Sequence, residues 1–200
     1  MGFQYQLKFA TDLKGGPIKV LFGSQNTFGI ESEYNSSVLH PTGFFGYICF
    51  WIGNHPIGDF QEFVMLDIPA LHMKDTLRFE GQRRDSTINN QQAEVILETV
   101  YKALWGNYDF ENEDFQQLKN RFQRFSICPG GGEAFDGIQC VLVDEDESER
   151  MIWRWIGPPQ ENQPLSEVPP QEIRLQKGHY EKVVRHFLDW FNNLKKPEGK

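Results

Sequence analysis

Two apolar strand pairs, "VLFGSQNTFGIESEY" and "GFFGYICFWIGNHPIGDF", dominate the stretch from Val20 to Asp59, and each folds back at a polar turn. In the first, Val20-Leu21-Phe22 stops at Gly23-Ser24-Gln25-Asn26, and Thr27, Phe28, Ile30, Ser32 and Tyr34 resume the strand-forming types. Gly, Ser and Asn are what a hairpin turn recruits. In the second, Phe44 to Ile52 is nearly unbroken aromatic and β-branched sequence, and Gly53-Asn54 supplies the turn. Pro56 then marks the returning strand as an edge, because it has no N–H to give a central ladder. A meandering antiparallel sheet follows, and it reads as scaffold.

The rest of the chain alternates helix and sheet. Phe63 to Ile68 reads as strand and Ala70 to Arg78 as a short helix. Ala93, Ile96, Leu97, Val100, Tyr101 and Leu104 recur at three- and four-residue spacing, which predicts an amphipathic helix over Asn89 to Trp105, capped by Asn89 or Asn90 and stopped by Gly106. "NYDFENEDFQQLKN" reads as an acidic loop with a helical turn. Arg121 to Cys128 alternates like a strand and ends at Pro129-Gly130-Gly131-Gly132. Gly137 to Asp144 and Arg150 to Ile156 form a hairpin around the acidic tip Glu145-Asp146-Glu147-Ser148-Glu149. Gly157 to Pro170, with five prolines, is an extended surface connection. Glu172 to Gln176 adds a last strand, and His179 to Leu194 carries Tyr180, Val183, Val184, Phe187, Leu188, Phe191 and Leu194 on one helical stripe. The order sheet, helix, sheet, helix predicts an α+β fold, a mostly antiparallel sheet packed by two main amphipathic helices. We expect one domain over residues 1–200, with 1–19 as an N-terminal extension and 195–200 as a frayed tail.

Composition removes several classes of function. A formal net charge of -8 over 200 residues opposes nonspecific nucleic-acid binding, which needs a cationic surface to displace phosphate counterions. Cys49, Cys128 and Cys140 are odd in number and widely spaced, which suits a reducing cytoplasm better than a disulfide framework. No apolar run reaches the roughly 18 residues that span a bilayer, and "MGFQYQLKFATDLK" lacks the apolar core of a signal peptide. Gln6 stands where N-myristoylation wants Ser or Thr. No membrane association is expected.

Candidate chemistry is sparse. The run Pro129 to Glu133 lacks the Lys-Ser/Thr of a phosphate loop and reads as a turn. His179 and His186 lie seven apart on one helix, roughly 10 Å at the α-helical rise, too far to chelate one ion. His40, His55 and His72 have no metal spacing, so neither a metal site nor a cofactor is expected. Cys49 and Cys140 fall within apolar strands and read as core. Of Met151, Trp153 and Trp155 on one strand face, one Trp could anchor an interface, but core packing is the simpler reading. The acidic clusters read first as solvated loops. Their functional reading is a landing surface for a basic protein, formed by Asp144, Glu145, Asp146, Glu147 and Glu149 with Asp109, Glu111, Glu113 and Asp114. The exposed edge from Asn54 to Asp59 is the next surface to consider.

"LFGSQNTFGIESEY" followed by "GYICFWIGNHPIGD" resembles the start of the Immunity protein 42 family of bacterial polymorphic-toxin systems. "EAFDGIQCVLVDEDESERMIWRW" and "LQKGHYEKVVRHFLDW" are similar to that family's second half. The resemblance implies a small cytoplasmic protein, encoded next to a toxin, that binds the toxin domain and blocks it. It implies no catalytic residues. Gly29 departs from the pattern, which more often has alanine there, and residues 1–19 are not accounted for by it. Two alternatives come from other classes. An enzyme or small-ligand binder would gather its polar groups only in three dimensions, around Asp136, His179 or neighbouring carboxylates. A purely structural subunit would show a wide exposed apolar patch.

Overall fold

The computed structural model describes residues 17–34, 43–106, 113–129, 133–155 and 169–194. The fold is α+β, with two antiparallel sheets and the two predicted amphipathic helices packed on them. The chain divides into two compact units, one of Met1–Lys74, Pro129–Asp136 and His179–Lys200, the other of Asp75–Cys128 and Gly137–Gly178.

In the first unit, β1 (Ile18–Gly23), β2 (Phe28–Tyr34), β3 (Phe45–Ile52) and β4 (His55–Ile57) lie in that order, and β5 (Val64–Met65) also pairs with β3. Ile18 and Lys19, expected in an extension, therefore belong to the first strand. The β3–β4 turn is the two-residue type the sequence called for: Gly53 and Asn54 both have positive φ, 58° and 69°, matching the twist of the flanking strands. The amides of Gly53 and Asn54 donate to the carbonyls of Thr27 and Gln25, at 2.8 and 2.7 Å, so the two hairpin tips are tied together. A Cβ at Gly29 would lie 3.0 Å from the Ser24 carbonyl oxygen and 3.1 Å from that of Phe22, so this turn is drawn too tight for an undisturbed alanine. Helix α4 (His179–Leu194) buries Tyr180, Val183, Val184, Phe187 and Phe191 against β1 and β2. Phe187 meets Phe22 edge-on at 5.8 Å, and Tyr180 packs against Phe28 at 5.1 Å.

Helix α1 (Asp67–Thr76) spans the boundary between the units and continues as a 3-10 turn over Leu77–Phe79. The second unit holds α2 (Ala93–Trp105), α3 (Glu113–Phe122) and the sheet β6 (Ile138–Asp144), β7 (Ser148–Trp155) and β8 (Gln171–Gln176) in order 6-7-8. Ile96, Leu97, Val100 and Leu104 of α2 pack with Phe122, Phe125, Val141, Val143 and Ile152 in one core. The cap of α2 is Gln92, not Asn89 or Asn90. Asn89 is committed one turn earlier, its Oδ1 accepting the Asp85 amide at 2.8 Å.

Two expectations fail here. Of the acidic stretch read as a loop with a helical turn, residues 107–112 lie outside the described residues, and from Glu113 the chain forms the ten-residue helix α3, whose Phe115 and Phe122 are buried and whose Glu113 and Asp114 sit at the positive end of the helix dipole. Arg121 to Cys128 is not a strand: it finishes α3, passes through a 3-10 turn at Gln123–Phe125 and keeps one isolated bridge, Ser126 to Val141. The apparent alternation was a helical stripe continued by Phe125. Residues 157–168 of the proline-rich stretch and 130–132 of the glycine run lie outside the described residues.

Candidate partner-binding surfaces

The β6–β7 tip is less open than its charge suggests. Asp144 and Glu149, expected on the landing surface, are both 2% exposed, a correction with a clear cause. The Asp144 carboxylate accepts the Arg83 amide at 2.8 Å, while the Asp144 amide donates to the Arg83 carbonyl at the same distance. Glu149 Oε1 accepts the Gly178 amide at 2.6 Å. Asp144 thereby satisfies a buried backbone donor, and Glu149 a part-buried one. Arg83 itself is fully buried, its guanidinium donating to the carbonyls of Thr76 and Arg124 at 2.7 and 3.1 Å.

Glu145, Asp146 and Glu147 remain at the surface. Asp146 pairs with Arg84 at 2.8 Å and Glu145 with Arg174 at 3.0 Å. Burial works against ionisation of Glu145, but the Ser148 hydroxyl and Arg174 together hold its carboxyl below the ordinary range. Much of the tip's negative charge is thus compensated locally. Glu113 and Asp114 are exposed on the first turn of α3, and Asp109 and Glu111 lie outside the described residues. Of the two tryptophans considered as anchors, Trp153 is core at 4% exposed and Trp155 is open at 46%.

Asp136 faces solvent. His179 Nε2 lies 3.3 Å from the Thr27 hydroxyl and 3.4 Å from the Phe28 carbonyl, and burial lowers its pKa. Burial likewise pushes the Cys49 thiol up to about 12, which suits core packing and not nucleophilic attack. Among the described residues no group of three His, Cys, Asp or Glu side chains could hold a metal ion, and no helix is long and apolar enough to cross a membrane.

A different surface emerges from the first sheet. Its inner face, under α4, is apolar as alternation requires; its outer face should then be polar, since antiparallel sheets commonly give one face to water. Instead the registers align Lys19, Glu33 and Tyr47 in one row across three strands, Leu21, Glu31 and Cys49 in the next, and Gly29 with Trp51 in a third. Glu31 is fixed from two sides, by Lys19 Nζ at 2.8 Å and by Trp51 Nε1 at 2.7 Å. Lys19 Nζ also stands 4.4 Å over the Phe60 ring. Its pKa is raised, chiefly by the bond to Glu31. Tyr47 packs 5.4 Å from Phe63, which stacks on Phe45 at 5.7 Å and remains 44% exposed. The sequence held one signal of this: Phe45, Tyr47, Cys49 and Trp51, all on the face that should be polar.

This arrangement of sheets and helices matches that of a solved structure. A crystal structure of CdiI from Burkholderia dolosa AUO158 superposes with a TM-score of 0.60 at 18% sequence identity, covering 86% of this chain and 99% of that one. That likeness establishes the fold. The sequence carries the family: residues 20–190 match Immunity protein 42, so the chain belongs to the Immunity protein 42 family. Its function is accordingly that of an immunity protein, the neutralisation of a cognate toxin. No curated protein matches the chain in sequence.

Proposed function

We propose that the protein neutralises its toxin domain by direct, stoichiometric contact in the cytoplasm, with no turnover of its own, and that the toxin domain offers a basic surface. Family membership is the observation that carries this reading, and the formal net charge of -8 supports the basic partner. Opposite potentials accelerate encounter and suppress wrong partners. In this reading Glu145, Asp146 and Glu147 at the tip, with Glu113 and Asp114 and the neighbouring Asp109 and Glu111, steer the approach. Asp144 and Glu149 hold the hairpin that displays them.

Co-expression with the toxin domain encoded beside this gene should restore growth. Continued killing while the protein is soluble and abundant would overturn the proposal. For steering, the triple variant Glu145→Gln, Asp146→Asn, Glu147→Gln should slow association and flatten its salt dependence, while dissociation changes less. Equal association rates at low ionic strength would make the tip an ordinary solvated turn.

A further inference from the structure

We infer that the outer face of the first sheet is the docking surface, and that its occupant is a cationic patch of the toxin domain presenting Arg or Lys beside an apolar side chain. The inference rests on the proposed direct contact and adds where it occurs.

Three observations carry it. Tyr47, Trp51 and Phe63 stand on a sheet face where water would favour polar residues, and Tyr and Trp are the types that dominate binding energy at interfaces. Only part of that apolar surface is satisfied internally, since Phe63 keeps 44% of its surface exposed. Next, among the described residues charge on the face is mostly negative: Glu31 and Glu33 lie on it, Asp59 and Glu62 flank Phe60 in the loop beside it, and Lys19 pairs with Glu31. At the tip, by contrast, Asp146 is paired with Arg84 and Glu145 with Arg174. Third, Lys19 shows in cis the chemistry on offer. Its ammonium is held between a carboxylate at 2.8 Å and an aromatic ring at 4.4 Å, the combination that binds a cation with both charge and quadrupole. Glu33, directly across from Tyr47 in the register, offers a second carboxylate beside rings. Arginine suits it best, because a planar guanidinium can stack on one and pair with the other.

A second copy of this chain fits poorly. A two-fold contact through this face would bring two patches of the same net negative sign together, which opposes association.

The experiment measures binding of the toxin domain encoded beside this gene to full-length protein. Variants are Glu33→Arg, at a part-exposed position, and Phe63→Ala, at an exposed ring, with Glu147→Arg as a tip control; each is checked for wild-type folding by circular dichroism and thermal melt. Glu33→Arg and Phe63→Ala should each weaken affinity about tenfold or more, mainly through faster dissociation. Glu147→Arg should change the association rate by only a few fold. Hydrogen exchange on the unmodified complex gives a measure free of any variant: amides of 45–51 and 58–63 should gain protection. If the wild type binds and neither variant weakens it, or if protection falls on 144–149 alone, the docking assignment is overturned and direct neutralisation stands. If the wild type does not bind at all, both fall. A concentration-dependent dimer that Phe63→Ala returns to monomer would assign the face to a second copy and overturn the inference.

Discussion

Replacing Phe187 by alanine tests whether the closing helix holds the first sheet. The ring has no exposed surface, meets Phe22 edge-on at 5.8 Å and lies parallel to Phe191 at 6.0 Å. Truncation removes the ring's transfer free energy and leaves a cavity that neighbouring rings cannot fill, a loss of about 3–5 kcal/mol. Set against a total stability of about 5–15 kcal/mol, that is a large fraction. For a chain of this length each kcal/mol moves the melting midpoint by about 2–4 °C, so the midpoint should fall by roughly 6–20 °C. Alanine is the best helix former, so lost propensity cannot be the cause. Leu188→Ala, one residue on and only half-buried, should cost distinctly less. Urea unfolding followed by circular dichroism and by tryptophan fluorescence reads both variants, Trp190 being 5.9 Å from Phe187. A melt unchanged to within about 2 °C, or an equal loss from Leu188→Ala, would refute the argument.

Other outcomes follow from the same geometry. Asp144→Ala should cost about 1–3 kcal/mol by leaving the Arg83 amide unpaired, whereas Glu147→Gln should stay within about 0.5 kcal/mol; chemical denaturation separates them. Asp85, bonded to Arg121 at 2.6 and 2.7 Å, has its carboxyl held well below the usual range, chiefly by that pair. Its contribution is therefore present above the unfolded pKa of about 3.9 and lost as pH falls below it, so Asp85→Asn should flatten the acid limb of a stability profile. Gly46→Ala should destabilise severely, because a Cβ there would lie 2.1 Å from the Glu33 carbonyl oxygen; a variant with wild-type thermal stability would refute that close approach.

The strands of the first hairpins were legible because turn chemistry and alternation agreed at each boundary, as at Gly53-Asn54. Helices α2 and α4 were legible from their stripes. Helix α3 was missed because its first turn is acidic and polar, and charge drew the eye from Phe115, Leu118 and Phe122, whose three- and four-residue spacing was the helical signal. The binding surfaces were harder. Nothing local distinguishes Asp144, bonded to a backbone 61 residues away, from Asp146 two positions on, which is open to solvent. The aromatic–carboxylate face needs three strands in register before Lys19, Glu33 and Tyr47 become neighbours, and register is not visible one strand at a time.

The wiring of the first unit also sets the order of events during synthesis. The strands are complete by Met65, yet the helix that covers their inner face begins only at His179. At about 5–20 residues per second the ribosome needs on the order of ten seconds to deliver it. Throughout that interval Phe22 and Phe28 lack the Phe187 and Tyr180 rings that pack on them, a nascent surface suited to chaperones and proteases. A chain that stops before α4 would leave this inner face without its closing helix, a fold that lacks the packing of Phe187 and Phe191.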